Sequence, residues 1–431
     1  MNPYGFLRHE AHALLTRLEH LSPFALNMPM TTAAAISDDA MRGIDQHLNK
    51  VKRSLRSSIG KFLSGLDSAE KQQIAPEKVQ TGYALLKLRF NQILDQLDIF
   101  ADVLSQRAEH ETGVWVAGLD ALAADAVQLP GRYYTPPPLI CFLERGHGAA
   151  IRRARTRLPG GDLNPVAVIQ VPRERMVGSG IGASLVHEVG HQGAALLELV
   201  ESLQALLQQT GTTDPGNAPA WKLYERWISE IAADLWALGH LGIGATQGLM
   251  GVVSLPRYFV FRLPAADDPH PFPWIRVKIS IAFGKLLFPH PQWDKLDRLW
   301  ELLYPIHGLT PPQAQTVQQL LRVLPRFVQV VANHRSKRWG NRRLAEIFPI
   351  RSRQPSQLMT LFQQWQRQPE LWLKQPPSLV FAVAGQARTA GQLTPQLENK
   401  LLTRCLTHWA IQNREPHSPP KPAAARPIIH Q

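Results

Sequence analysis

Two histidines four residues apart, with a glutamate beside the first, form the sequence His187-Glu188-Val189-Gly190-His191. The flanking residues are apolar and favour a helix, and at 3.6 residues per turn both histidines then lie on one face. Their imidazoles can reach one Zn²⁺ at about 2.0–2.1 Å, with Glu188 beside the open coordination position. The alternative is a pair of core histidines satisfied by backbone groups, although burying both of them and a carboxylate in an apolar helix is costly. The spacing therefore favours a zinc site with Glu188 as general base.

A catalytic zinc needs a third protein ligand as well as a free position. The residue six positions after His191 is Leu197, which excludes a third histidine at the metzincin spacing. Glu230 and Asp234 follow on a later helical segment, one turn apart and on one helix face. We therefore expect Glu230 to bind the metal and Asp234 to accept the distal N–H of His187, which would fix the tautomer of that ring.

This order of motifs resembles that of the gluzincin metallopeptidases, which combine HExxH with a downstream E-x-x-x-D. A third segment, from His270 to Val277, reads H-P-x-x-x-x-R-V and is similar to one in the CAAX-prenyl-protease-like branch of that family. The resemblance extends over about residues 139–287. It implies that His270 and Arg276 face the zinc and stabilise either the oxyanion or the ligand glutamate. Members of that branch are often integral membrane proteins, whereas this chain has no convincing span, so a prenylated substrate is not carried over.

The resemblance also implies a mechanism and a substrate-binding element. Zinc would lower the pKa of a bound water, Glu188 would take its proton and deliver it to the leaving amine, and zinc with His270 or Arg276 would stabilise the oxyanion. Gluzincin substrates run antiparallel to an edge strand before the HExxH helix, and residues 166–171, followed by Pro172, are the matching segment. We expect a zinc metalloendopeptidase. The alternative is a scaffold or nucleic-acid-binding protein with a structural or vestigial zinc site.

The elements around these motifs are mostly helical. Apolar residues recur at helical spacing over residues 6–122, residues 139–143 and 166–171 read as short strands, and helices are expected over residues 184–209 and 221–238. The predicted fold class is mainly α with a small mixed β-sheet, a zincin-like catalytic core being flanked by helical N- and C-terminal regions. The expected divisions are residues 1–135 (helical N-terminal region), 136–310 (metallopeptidase core), 311–412 (helical C-terminal region) and 413–431 (disordered Pro-rich tail).

The positive net charge of the chain suggests further classes of binding partner. Among 431 residues, 47 Lys and Arg oppose 34 Asp and Glu, so the formal charge is +13, which is typical of proteins that meet nucleic acid or anionic membranes. The basic residues 152–157 either line an anion-binding cleft or form a charged loop. Residues 335–343, which include Trp339, permit phosphate contacts with stacking on one base, but with no nucleic-acid module a solvated basic face is favoured. The predicted partners are a peptide or protein substrate and an acidic partner at these clusters, rather than nucleic acid or membrane.

Residues 235–255 contain no Asp, Glu, Lys or Arg and match a bilayer span in length, but their five glycines favour a buried helix pair. Two cysteines exclude a disulfide framework or a thiolate metal cluster, and Cys141, in an apolar strand, is expected to behave as a small hydrophobe. No secretory signal opens the sequence, so the cytoplasm is the expected compartment.

Several other residues imitate functional motifs. Gly178, Gly180 and Ala183, with Glu201 downstream, are spaced like a dinucleotide-binding fingerprint. No alternating strand and helix units follow, so these glycines are expected to form the turn into the HExxH helix. The remaining candidate ligands are expected to have structural roles: Glu198 as a solvated or paired carboxylate, Asp214 as a loop residue and His240 as a buried polar contact.

Overall fold

Helices dominate the computed structural model, which describes residues 2–144, 149–172, 178–265 and 267–412. The predicted fold class, mainly α with a small mixed β-sheet, is confirmed, whereas the division into three regions stays a prediction and the predicted tail 413–431 lies outside the described residues. The strands are Leu139–Glu144 (β1), Ala150–Arg152 (β2) and Ala167–Pro172 (β3). The helices are Pro3–Glu19 (α1), Phe24–Asn27 (α2), Asp38–Lys71 (α3), Pro76–Ser105 (α4), His110–Ala126 (α5), Ser179–Leu196 (α6), Leu199–Thr212 (α7), Ala218–Arg226 (α8), Ile228–Leu241 (α9), Ile243–Val253 (α10), Arg257–Val260 (α11), Pro273–Leu287 (α12), Gln292–Leu303 (α13), Pro311–Ala332 (α14), Leu344–Ile347 (α15), Pro355–Arg367 (α16), Pro377–Thr389 (α17) and Pro395–Gln412 (α18).

The three strands lie in the order β1-β3-β2, with β1 parallel and β2 antiparallel to β3. Side chains alternate between the two faces: Ile140 and Val168 pack towards α3 and α4, whereas Cys141 and Ile169 pack towards α5 and α6. The prediction that residues 166–171 form an exposed edge is wrong, because β2 pairs with β3 on its second side. That prediction failed because β2 has three residues and no apolar alternation that would mark it as a strand.

The two outer edges of the sheet differ in what covers them. Along β1, the backbone N–H of Cys141 donates to Asp120 Oδ1 at 2.7 Å, and that of Leu143 donates to Gln106 Oε1 at 2.8 Å. The carbonyls of the same two residues accept from Arg107 and Gln106, each at 2.6 Å. Side chains therefore occupy the hydrogen-bonding positions of this edge, which blocks strand addition. In the described part of the chain, β2 is the edge left for an incoming strand.

Two helices expected to be continuous are interrupted. The segment 184–209 divides into α6 and α7 at Glu198, whose φ of 52° is left-handed. The break buries Leu197 and Leu199 on its two sides, which offsets the cost of about 1–2 kcal/mol for a left-handed residue other than glycine. The segment 221–238 likewise divides into α8 and α9 at the buried Trp227. The prediction of one continuous helix placed Glu198 on the HExxH helix. In the structure that helix, α6, ends before Glu198.

The buried helix pair expected at residues 235–255 is present as the end of α9 and α10, joined at Gly242 with a φ of 59°. Within the described ranges, no helix combines the length and the apolar character needed to cross a membrane. One large apolar core includes residues of α5, α6, α9, α12, α14, α17 and α18, and a separate cluster joins α1, α3 and α4. Helices distant in sequence, α5 and α17, thus pack against α6, and α18 packs against α5.

Candidate metal centre

The site begins with an unusually close contact between α6 and α9. A Cβ at Gly190 would lie 2.9 Å from Ala233 Cα and 3.0 Å from its carbonyl oxygen. A Cβ at Gly193, one turn later, would lie 2.2 Å from the Trp236 ring. Only glycine fits at either position, because these distances are below van der Waals contact. The close approach brings Glu230, in the first turn of α9, within reach of the histidines on α6.

The predicted ligands His187, His191 and Glu230 meet in one group that could hold a metal ion, their ligand atoms lying within 4.8 Å of one another. Nε2 of His187 is 3.3 Å from Glu230 Oε2, and Nε2 of His191 is 3.4 Å from Glu230 Oε1. Ligand atoms bound tetrahedrally at about 2.0–2.1 Å are separated by about 3.3–3.4 Å. The two His–Glu separations therefore match this spacing, each through a different oxygen of Glu230, and the group could hold a metal ion.

Asp234 and Arg276 contact the candidate ligands His187 and Glu230. Nδ1 of His187 lies 2.8 Å from Asp234 Oδ1, although its N–H is not aligned with that oxygen as a hydrogen bond. Arg276 donates from Nε and a terminal nitrogen to the two Asp234 oxygens at 2.7 and 2.9 Å, and reaches Glu230 Oε2 at 3.4 Å. Of the two roles that the family resemblance implied for Arg276, these contacts favour the one at the ligand glutamate.

His270 stands at the rim of the site, with 47% of its side chain exposed. Its Nε2 is 3.6 Å from Glu230 Oε2, and its Nδ1 is 3.0 Å from Asp268 Oδ1. Asp268 also accepts from the His270 backbone N–H at 2.9 Å and from Arg262 at 2.8 Å. Sequence reasoning missed Asp268 and Arg262. The only local signal for them is an aspartate two residues before a candidate site histidine.

Burial and neighbouring charges set the protonation of these groups. Burial lowers the pKa of His187, but the carboxylates of Asp234 and Glu230 overcome this and raise it to about 9. Burial and the positive charge of His187 lower the pKa of His191 to about 4. Burial opposes ionisation of Glu230, yet contact with His187 lowers its pKa to about 2. Burial raises the pKa of the Glu188 carboxyl above its usual value, which suits a group that must hold a proton during catalysis.

The candidate ligands line a cavity of about 510 Å³ whose lining contains both polar and apolar residues. Glu188 is buried yet lines the same cavity as both histidines. A carboxylate that is not needed as a ligand thus stands beside the candidate metal position, where it can exchange a proton with a bound water or substrate. The apolar lining residues come from β2 and the residue before it, from α6 and from α10: Ala149, Ala150, Ile151, Ala183, Ala245, Leu249 and Val252.

In the basic cluster 335–343, Trp339 is not available to stack on a nucleic-acid base. Trp339 is fully buried and donates its indole N–H to the Arg342 carbonyl, so it cannot stack on a base. Arg338 pairs with Glu198, and Arg343 pairs with its helical neighbour Glu346. In the cluster 152–157, Arg153 lines the metal cavity and Arg152 does not. Part of the first cluster therefore belongs to the site, whereas the second does not.

The remaining candidate residues have the structural roles expected of them. Gly178 takes a φ of 86° immediately before α6, as a turn residue, and Cys141 is buried. Others are satisfied by local partners: Glu198 by Arg338, Asp214 by Trp221, Asn217 and Arg326, and His240 by the carbonyls of Trp236 and Gln128.

Comparison of the chain with protein-family models, with curated proteins and with solved structures gave no match.

Proposed function

We propose that this chain is a zinc-dependent metalloendopeptidase of the gluzincin type. The observation that carries the proposal is the meeting of His187, His191 and Glu230 at ligand spacing, with Glu188 beside them. A structural zinc site usually has four protein ligands. Here the described residues supply three candidate ligands, and a buried carboxylate lines the same cavity, which supports a hydrolytic rather than a structural site.

The residues of the chain divide the chemistry between them. When bound, zinc would supply a Lewis acid that lowers the pKa of a water molecule and polarises the scissile carbonyl. Glu188 accepts the proton of the attacking water and delivers it to the leaving amine. His270, held by Asp268 at the cavity rim, can donate a ring N–H to the developing oxyanion. Arg276, engaged by Asp234 and Glu230, keeps the ligand carboxylate oriented.

The edge strand β2 is the element on which a peptide substrate would bind. Ala150 and Ile151 of this strand line the metal cavity, and Ala149 and Arg153 extend the lining on either side. An extended peptide can add to the free edge of β2 through main-chain hydrogen bonds, which bind without regard to sequence. The opposite edge, β1, cannot pair with a peptide, because its outward backbone groups are already hydrogen-bonded to side chains. We therefore propose β2, instead of residues 166–171, as the strand that pairs with the substrate.

Substitution of Glu188 and of Glu230 tests the proposal. The full chain is stripped with a chelator, reconstituted with zinc and incubated with a broad peptide library, and both cleavage and bound metal are measured. Glu188→Gln should keep about one zinc per chain and lose about 10²-fold or more in cleavage rate, because it removes only the base. Glu230→Ala should lose zinc binding, because it removes a ligand.

Glu198→Gln is the matched control, since Glu198 is exposed and pairs with Arg338 away from the cavity. This variant should bind zinc and cleave peptides as the wild type does. Peptide cleavage that persists in Glu188→Gln at the wild-type rate would refute the mechanism. A wild-type chain that binds zinc but cleaves no peptide would instead favour the scaffold function.

A further inference from the structure

The backbone around Arg153, at the end of β2, is fixed by two buried side chains. The N–H of Ala154 donates to Gln192 Oε1 at 2.8 Å, and Gln192 directly follows the ligand His191 on α6. The side-chain amide of Asn164 donates to the Arg153 carbonyl at 3.3 Å. Gln192 and Asn164 are each 1% exposed. The position of Arg153 is thus tied to the helix that carries the metal ligands.

The Arg153 side chain, in contrast, has no partner among the described residues. It is exposed, lines the metal cavity and makes no ion pair or hydrogen bond with any described residue. Arg153 also borders a second cavity of about 600 Å³ on the α4 side of the sheet, and the carboxylates there, Asp102 and Glu144, make no ion pair with it. Its neighbour Arg152 borders only that second cavity. A fixed backbone therefore holds, at the edge of the candidate metal site, a guanidinium that no described residue pairs with.

Once a metal is bound, the negative charges of the other described lining residues are all balanced by charges other than that of Arg153. Glu188, Glu230 and Asp234 carry three negative charges, and Arg276 carries one positive charge. A bound Zn²⁺ would balance the remaining two negative charges. With the metal in place, the guanidinium of Arg153 is the uncompensated charge among the described lining residues, and a ligand with a negative group would neutralise it.

We propose that Arg153 binds a carboxylate of the substrate beside the metal centre, so that the enzyme prefers peptides with a negative charge near the cleaved bond. This proposal rests on the proposed function and adds a substrate class to it. Guanidinium groups bind carboxylates through two parallel N–H···O bonds, and these charge-assisted bonds are stronger than neutral ones. The carboxylate can come from an Asp or Glu side chain or from a free C-terminus, and the same site would accept either.

The test compares three peptides built on one neutral sequence that the zinc-loaded chain cleaves. The first is neutral with an amidated C-terminus, the second carries one Glu near the cleaved bond and is amidated, and the third is neutral with a free C-terminal carboxylate. Their kcat and KM values are measured separately. In parallel, fluorescent versions are titrated against the zinc-loaded Glu188→Gln chain, since binding to it needs no turnover and can be measured on library peptides even if none is cleaved.

The variants are Arg153→Gln and, as a matched control, Arg152→Gln, which removes the same charge one residue away. The wild type should favour at least one carboxylate peptide over the neutral amide by about tenfold or more, mainly through KM. Arg153→Gln should lose that preference, measured as the ratio of kcat/KM for the carboxylate peptide to that for the neutral amide, whereas Arg152→Gln should keep it. Arg153→Lys should retain part of it, because lysine keeps the charge without the two-bond geometry.

Each outcome separates this proposal from the proposed function. A preference confined to the internal Glu peptide assigns the partner to an acidic side chain, and one confined to the free acid assigns it to the C-terminus. A preference that survives Arg153→Gln, or that Arg152→Gln removes equally, overturns the proposal, as does a wild type with no preference in either assay. Carboxylate binding that depends on Arg153 without any cleavage would uphold this site and refute the peptidase.

Discussion

Gly190 allows α6 and α9 to approach closely, so adding a single methyl group there should disturb both stability and metal binding. In Gly190→Ala, the new Cβ would lie 2.8 Å from Trp236 Cβ, 2.9 Å from Ala233 Cα and 3.0 Å from the Ala233 carbonyl oxygen. None of these atoms is the end of a flexible side chain, so relief requires that the helices separate. Carbon atoms in contact prefer about 3.5–4.0 Å, so the separation needed is about 1 Å.

The expected cost follows from two opposing effects. Overpacking of this kind destabilises proteins by about 1–3 kcal/mol, whereas replacing a glycine inside a helix by alanine contributes up to about 1 kcal/mol in favour of folding. Gly180 on the same helix is the matched control, since the nearest atom to its added Cβ is 3.9 Å away. Gly180→Ala should be neutral or stabilising, and Gly190→Ala should be less stable than it by about 1–3 kcal/mol.

Metal binding should report the same movement. The ligand contacts of 3.3 and 3.4 Å join α6 to α9, so a shift of about 1 Å exceeds the tolerance of about 0.2 Å in metal–ligand distances. We expect zinc affinity in Gly190→Ala to fall about 10–100-fold, as for other changes that misplace ligands. Urea unfolding of the metal-free proteins and competition with a chromophoric chelator measure the two effects. If Gly190→Ala matched Gly180→Ala in both, the close contact would not position the site.

Two further predictions concern His187 and its neighbours. In Asp234→Asn, loss of the carboxylate next to His187 Nδ1 and Arg276 should lower zinc affinity about 10–100-fold in the same chelator competition; unchanged affinity would show that Asp234 does not orient the ligand. The second is a pH dependence. Because the pKa of His187 is about 9 and that of His191 is about 4 in the metal-free site, zinc must displace one proton between pH 5 and 8, and its affinity should rise about tenfold per pH unit there. Calorimetry in buffers of different ionisation enthalpy measures that proton, and its absence at pH 7 would contradict the assigned protonation of His187.

The group that could hold a metal ion could be assembled from sequence because the geometry of its parts is local. His187 and His191 are four residues apart on one helix, and Glu230 and Asp234 are four residues apart on another, so each pair is fixed by helical periodicity alone. Only the meeting of the two pairs is long-range, and the glycine at position 190 inside the first motif is the sequence feature that permits it.

The sheet edge could not be predicted in the same way. Whether residues 166–171 lie at an edge depends on what pairs with them, and β2, the strand that does so, contains one isoleucine and one arginine after its alanine. Such a short segment has no periodicity to detect, and its arginine is typical of a charged loop. The break at Glu198 was hidden for a related reason, since no glycine or proline marks it and its left-handed conformation is stabilised by burial of the residues on either side.

Residues 187–192 of α6 contact three parts of the candidate site, so a short segment positions most of it. Its two histidines face the cavity, Gly190 sets the distance to α9, and Gln192 holds the chain at the end of β2 through the N–H of Ala154. The candidate metal ligands and the edge proposed to bind substrate are therefore both positioned by the same turns of α6. Because β2 is anchored next to His191 rather than to a distant loop, a peptide paired with this strand would lie at a fixed distance from a bound metal. The guanidinium of Arg153 would then contact the same part of every substrate.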